Sequence, residues 1–251
     1  MELFLIVAAG AALAGFVQGL SGFGFGLTAM ALWAWLLEPR LAASLAVFGS
    51  LTGQVIAAFT VRRGWDWRTL LPFLAGGLAG LPLGLWLLPR LDVPLFKFLL
   101  GLMLVIVCPL MFFANRLPHV RGGRTSDAVA GAAGGMMSGL GGFSGVAPSL
   151  WCTMRGFDKD RQRSVIQNFN LSIQVVTFAS YVGTGIITSG MVPLFAIAAP
   201  AILVPSLLGA RLYAGISEQG FRKVVLGLLS LTGVALLASS APAVLARWLA
   251  P

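Results

Sequence analysis

Apolar residues run along this chain in blocks of about 20, the length that crosses a bilayer core, and short polar clusters separate the blocks. Leu3 to Leu37 is one long apolar stretch with a glycine cluster at its middle, closed by Glu38-Pro39-Arg40. Three blocks of spanning length follow at 41–61, 69–88 and 94–114. The longest polar connection, 115–127, divides the chain. A second glycine-broken stretch covers 128–154, and three more spans cover 164–188, 191–212 and 224–245. The pattern predicts an all-α polytopic membrane protein. Its first repeat is 1–114, with a hairpin at 3–37. A basic cytoplasmic linker follows at 115–127. The second repeat is 128–251, with a hairpin at 128–154.

The two halves match when shifted by 120 residues. Gly-Leu-Ser-Gly-Phe at 19–23 meets Gly-Leu-Gly-Gly-Phe at 139–143, Gln54 meets Gln174, and nine identities fall within positions 14–55. If each broken stretch crosses once, the halves are parallel and the 17 Lys and Arg divide ten to seven between the two sides. If each broken stretch turns back as a hairpin, the halves are inverted and the division is thirteen to four, with only Arg40, Arg90, Lys97 and Arg247 on the poorer side. The second division obeys the positive-inside rule. We therefore expect two inverted repeats, each a glycine-tipped helical hairpin plus three transmembrane helices, with both termini outside. The limbs 128–140 and 146–154 are too short at about 1.5 Å per residue to cross about 30 Å of hydrocarbon, so the second hairpin reads as re-entrant. The first hairpin reads as either re-entrant or spanning.

Composition narrows the function. Hydrophobic residues make up 58% of 251, charged residues 10%, and mean hydropathy is +0.92. A soluble domain carries roughly 25% charged residues, so a soluble enzyme and a nucleic-acid binder are excluded. The net charge of +9 sits in the loops as the positive-inside bias requires. Glu2 stands where a secretory signal would carry positive charge. Cys108 and Cys152 have no metal-ligand spacing and read as small buried hydrophobes. All eight acids fall in predicted loops or at the terminus, leaving no carboxylate deep in a span to relay protons or hold sodium. No P-loop, catalytic triad or metal set is present, so neither an enzyme nor a cofactor is expected. Trp33, Trp35, Trp65, Trp67, Trp86 and Trp248 near segment ends read as an aromatic belt. Pro200 and Pro205 predict a kink or hinge in one span.

Candidate chemistry gathers at the hairpin tips. Ser21, Gly22, Phe23 and Gly24 form one tip, and Gly142, Phe143, Ser144 and Gly145 the other. Glycine allows tight reversal and close approach of a ligand to the backbone. The limb after each tip starts a helix, whose free N–H groups attract anions. Inverted hairpins would bring the tips together near the midplane, where secondary transporters bind substrate. The same glycines also permit close helix packing. Gln54 and Gln174, with Ser50, Asn168 and Asn170 about one turn away, are neutral donors suited to anion oxygens or to interhelical hydrogen bonds. Arg40 and Arg155 flank the hairpin exits and could draw in anions or anchor loops.

The runs Gly15-Phe-Val-Gln-Gly-Leu-Ser-Gly-Phe-Gly-Phe-Gly26 and Gly134-Gly-Met-Met-Ser-Gly-Leu-Gly-Gly-Phe-Ser-Gly145 resemble those of the sulfite exporter TauE/SafE family, small duplicated membrane transporters. The resemblance covers nearly the whole chain. It implies movement of sulfite or organosulfonates across the inner membrane. Ser144 stands where the first tip has Gly24, and Gly141 where it has Ser21, so the two tips would offer unequal donors. The expected partners are the lipid bilayer and a small anionic substrate; assembly as a homodimer stays open. A passive anion channel, a carrier of another small organic anion and a non-transporting membrane assembly or anchoring subunit are the alternatives.

Overall fold

Each acidic residue marks the start of a helix. The computed structural model describes residues 1–21, 24–60, 64–114, 119–212 and 218–249, which form ten α-helices and no strand. They are α1 Glu2–Ser21, α2 Phe25–Trp33, α3 Pro39–Thr60, α4 Trp67–Leu87, α5 Val93–Phe113, α6 Arg124–Gly141, α7 Val146–Met154, α8 Lys159–Gly183, α9 Val192–Leu212 and α10 Glu218–Leu249. Glu2 and Glu218 open α1 and α10, and Glu38 immediately precedes α3. Asp66, Asp92 and Asp158 are N-caps whose carboxylates accept from Thr69 N, Leu95 N and Arg161 N at 3.2, 3.0 and 2.9 Å. Asp127 and Asp160 sit in the first turns of α6 and α8. Negative charge there satisfies orphan N–H groups and complements the helix dipole.

These caps move two predicted boundaries. Asp158 starts α8 at Lys159, so the charged segment 155–163 is half helix, and the span predicted at 164–188 lies five residues earlier. Gly185, at φ +72°, follows its end. The linker predicted at 115–127 gives its last four residues to α6, which is 18 residues and about 27 Å long rather than a 13-residue limb. Asp127, predicted in a loop, is 4% exposed. Arg155 Nη1 donates to both its oxygens at 2.8 Å, and Trp151 Nε1 to one at 2.8 Å. That ion pair ties the start of α6 to the end of α7, so Arg155 is engaged inside the protein. Arg40 likewise donates to Pro89 O at 3.1 Å.

Asp66 accepts from the Thr69 hydroxyl at 2.6 Å and lies 3.4 Å from Arg161 Nε. The Thr69 hydrogen bond above all, with Arg161 assisting, holds its carboxyl below the ordinary range. A depressed folded value stabilises the fold above the unfolded pKa and is lost as pH falls through the folded one. Asp66→Ala should therefore cost about 1 kcal/mol at neutral pH. The gap between variant and parent melting temperatures should close as pH drops below the carboxylate range.

Among the described residues, six helices are long and apolar enough to cross a membrane: α1, α3, α4, α5, α9 and α10. The chain is a multi-pass membrane protein. At 20 residues, α1 has spanning length, whereas α2 and α7 have nine residues each and cannot cross alone. The 25-residue α8 is too polar to count among the six, yet Ser164, Gln167, Asn168, Asn170, Gln174 and Thr177 along it are all buried. Polar groups at membrane depth face protein because lipid cannot satisfy them.

Helix packing exchanges the halves. α1 lies along α9, α6 along α4, α5 along α10, and α3 against α8. A 22-residue and a 25-residue helix, α3 and α8, start 120 residues apart at Pro39 and Lys159, each after a nine-residue helix. The pairing is the one that a two-fold duplication produces. Glycine makes the contacts backbone to backbone. A Cβ on Gly76, Gly80 or Gly84 of α4 would run into the carbonyl oxygen of Ala128, Ala132 or Met136 on α6, and one on Gly131 or Gly135 into that of Phe73 or Gly77. A Cβ on Gly101 of α5 or on Gly233 of α10 would likewise lie 2.9 or 3.0 Å from the other glycine's carbonyl oxygen. Close approach of small residues is how helices associate where lipid removes the hydrophobic driving force.

Trp33 departs from the predicted aromatic belt. It is fully buried against Gly10, with Nε1 donating to Ile6 O at 3.3 Å and Phe25 edge-on at 6.2 Å. Trp35, Trp65, Trp67 and Trp86 are exposed, at 39–59%, as a belt requires. The side chain of Trp248 lies outside the described residues. Cys108 and Cys152 are buried and free. α9 runs unbroken through Pro200 and Pro205.

A candidate anion site where the hairpin tips meet

The second tip reverses through Gly142, at φ +78°, immediately after α6. Such a backbone favours glycine, since a side chain costs about 1–2 kcal/mol there. The first tip enters α2 through Gly24, at φ +111°. These glycines are not equivalent in the repeat. Gly24 aligns with Ser144, which has no positive φ, so the tips differ in backbone as well as sequence.

The tips touch. A Cβ on Gly26, in the first turn of α2, would lie 2.6 Å from the carbonyl oxygen of Gly142. That oxygen is a hub: it accepts from Gln174 Nε2 of α8 at 2.8 Å and from Ser50 Oγ of α3 at 3.3 Å. Gln174 Nε2 also donates to Ser144 Oγ at 3.2 Å, and Ser144 Oγ donates to Asn170 Oδ1 at 2.9 Å. Within the first hairpin, Gln18 Oε1 of α1 accepts from Phe25 N at 3.1 Å and so caps α2. Gly145 caps α7 without any side-chain hydrogen bond; Val146 N donates to Phe143 O at 3.2 Å and Pro148 has no N–H, so Ala147 N is the donor that the first turn leaves.

A small cavity, with about 20 Å³ open to the centre of a water-sized sphere, lies between these groups. Of the residues singled out in the sequence, Gly24, Ser50, Gln54, Gly142, Phe143, Ser144, Gly145, Asn170 and Gln174 line it. Gln18, Gly26, Leu27 and Val146 line it too and were missed. Gln18 carried a signal: it is an amide inside an apolar helix, one residue before the quoted glycine run reaches Gly19. Asn168 is placed elsewhere, donating to Gly64 O at 3.0 Å beside Ser164. Gly22 and Phe23 lie outside the described residues, as does the side chain of Ser21.

All lining residues are uncharged. Ser50 and Asn170 are the twelfth residues of α3 and α8, and Gln54 and Gln174 the sixteenth, about 17 and 23 Å from the helix starts. The polar lining thus sits at mid-helix. It can offer neutral side-chain donors and the Ala147 N–H at the start of α7, and none of the lining residues is an acid or base.

A family model described as Sulfite exporter TauE/SafE matches residues 7–236 of the 251-residue chain. The chain belongs to the TauE/SafE sulfite exporter family. The match takes in both hairpins and runs into α10. No curated protein and no solved structure matches the chain. Membership of this exporter family makes the chain a membrane transport protein, and the site between its hairpin tips is judged on its own geometry.

Proposed function

We propose that this TauE/SafE protein exports small sulfur-containing anions, sulfite or organosulfonates, across the inner membrane as a secondary carrier, holding the anion between the hairpin tips. One observation carries the reading: the two glycine-rich turns meet at a cavity lined by uncharged polar groups, beside the start of α7, which no side chain caps. Asn170 supports it as a donor, because Ser144 occupies its Oδ1 and leaves Nδ2 for a ligand. Membrane potential is the proposed driving force. An anion leaving a negative-inside cell gains about 2.3 kcal/mol per charge per 100 mV, which requires no embedded carboxylate. We include the inverted arrangement of the halves, with both termini outside, in the proposal; the thirteen-to-four division of basic residues and the exchange of helices between halves support it.

Purified protein in liposomes should show saturable sulfite flux that rises with an imposed potential. Asn170→Ala should raise the half-saturating concentration about tenfold, the effect of losing one hydrogen bond to a charged ligand. Asn168→Ala, which loses the tether to Gly64, should lower the melting temperature and leave half-saturation in place. Flux that never saturates, or equal half-saturation in the parent and Asn170→Ala, would overturn the proposed carrier site.

A further inference from the structure

One lining residue carries a buried acceptor of the wrong polarity for a bare anion. Gln174 is 1% exposed, and its Oε1 is buried without a hydrogen-bond partner. Its orientation is determined: Nε2 faces the Gly142 carbonyl, which can only accept, so exchanging the amide's ends would set oxygen against oxygen. An unsatisfied buried acceptor is costly and calls for a donor from whatever fills the site. The lining also offers no cation to neutralise a second negative charge. The cost of removing charge from water grows with its square, so a dianion is penalised about four times as heavily as a monoanion.

We infer that the site takes a monoanion that keeps a proton on its head group: hydrogen sulfite rather than sulfite. This rests on the reading of the cavity as the anion site and adds the form of the substrate. The oxyanion edge faces the donors, Asn170 Nδ2 and the Ala147 N–H at the start of α7, while the retained proton is donated to Gln174 Oε1. The arrangement divides the labour between the two ends of one helical turn: Asn170 binds charge, and Gln174 reads protonation.

The test uses two tetrahedral monoanions of matched size, methylphosphonate and methanesulfonate, at mildly acidic pH. The first carries a hydroxyl on its head group and the second does not. Binding to the full chain in nanodiscs is measured by calorimetry, with hydrogen sulfite as a third ligand. Methylphosphonate should bind about tenfold or more tightly than methanesulfonate, since only it satisfies the buried acceptor. Gln174→Met should bring the two together. Methanesulfonate binding as tightly as methylphosphonate to the unaltered protein would overturn the inference while leaving the anion site standing. Absence of binding by all three ligands would overturn the anion site and the inference with it. The comparison on the unaltered protein decides even if Gln174→Met does not fold.

Discussion

Gly142→Val should abolish transport while the protein still inserts in the membrane. The substitution meets three obstacles at one residue. Its φ of +78° disfavours any side chain, most of all a β-branched one. A Cβ would lie 3.1 Å from Ala46 O and 3.2 Å from Val47 N on α3, where the neighbours are backbone and cannot rotate away. The carbonyl that moves with it is the one that Ser50 and Gln174 both grip. Backbone strain of about 1–2 kcal/mol and overpacking of about 1–3 kcal/mol combine at the tip. Flux in liposomes should fall at least about tenfold, with the amount of membrane-inserted protein within about twofold of the parent. Insertion follows from apolar spans that the mutation does not touch. Undiminished flux would show that the tip carries no part of the pathway.

Gly80→Leu should instead remove the folded protein. Gly80 faces the backbone of Ala132 across the α4–α6 contact, and Gly76 and Gly84 repeat the approach one turn to either side. A leucine there must push the two helices apart along several turns. The loss should exceed the 1–3 kcal/mol typical of overpacking, because the obstacle is main chain rather than a flexible side chain. The expected result is loss of the monodisperse peak in gel filtration after detergent extraction. Gly123→Leu is the matched control, since a Cβ there has nothing within 4 Å. A normal peak for Gly80→Leu would mean that the α4–α6 contact is not backbone to backbone.

The two predictions separate roles that the sequence leaves merged. Both hairpins and α4 are rich in glycine, and the residue type alone does not say which glycines pack and which bend. Gly131, Gly135, Gly76 and Gly80 pack, while Gly24 and Gly142 reverse the chain. The expectation that the tips meet is matched by the close approach of Gly26 to Gly142. The site list was legible where a polar residue interrupts an apolar helix: Ser50, Gln54, Asn170 and Gln174 all line the cavity. Asn168 was not separable from Asn170 by spacing, although two residues along a helix point about 200° apart. One faces the tips and the other faces Gly64.

Sequence by itself determined that this is a helical membrane protein, and it carries the correspondence at an offset of 120 residues and the two glycine-broken apolar stretches. Those features follow from local quantities: the transfer free energy of an apolar block, the length needed to cross a bilayer, and the conformations that glycine permits. Only the tertiary structure decided which helices embrace, that Trp33 belongs to the core, that Asp127 is buried against Arg155, and that a side chain, Gln18, caps α2 while none caps α7. The reason is that lipid is as apolar as leucine. A helix face turned to lipid and one turned to another helix have the same composition, so the choice between them rests on backbone fit and hydrogen-bond satisfaction, which exist only once the helices are assembled.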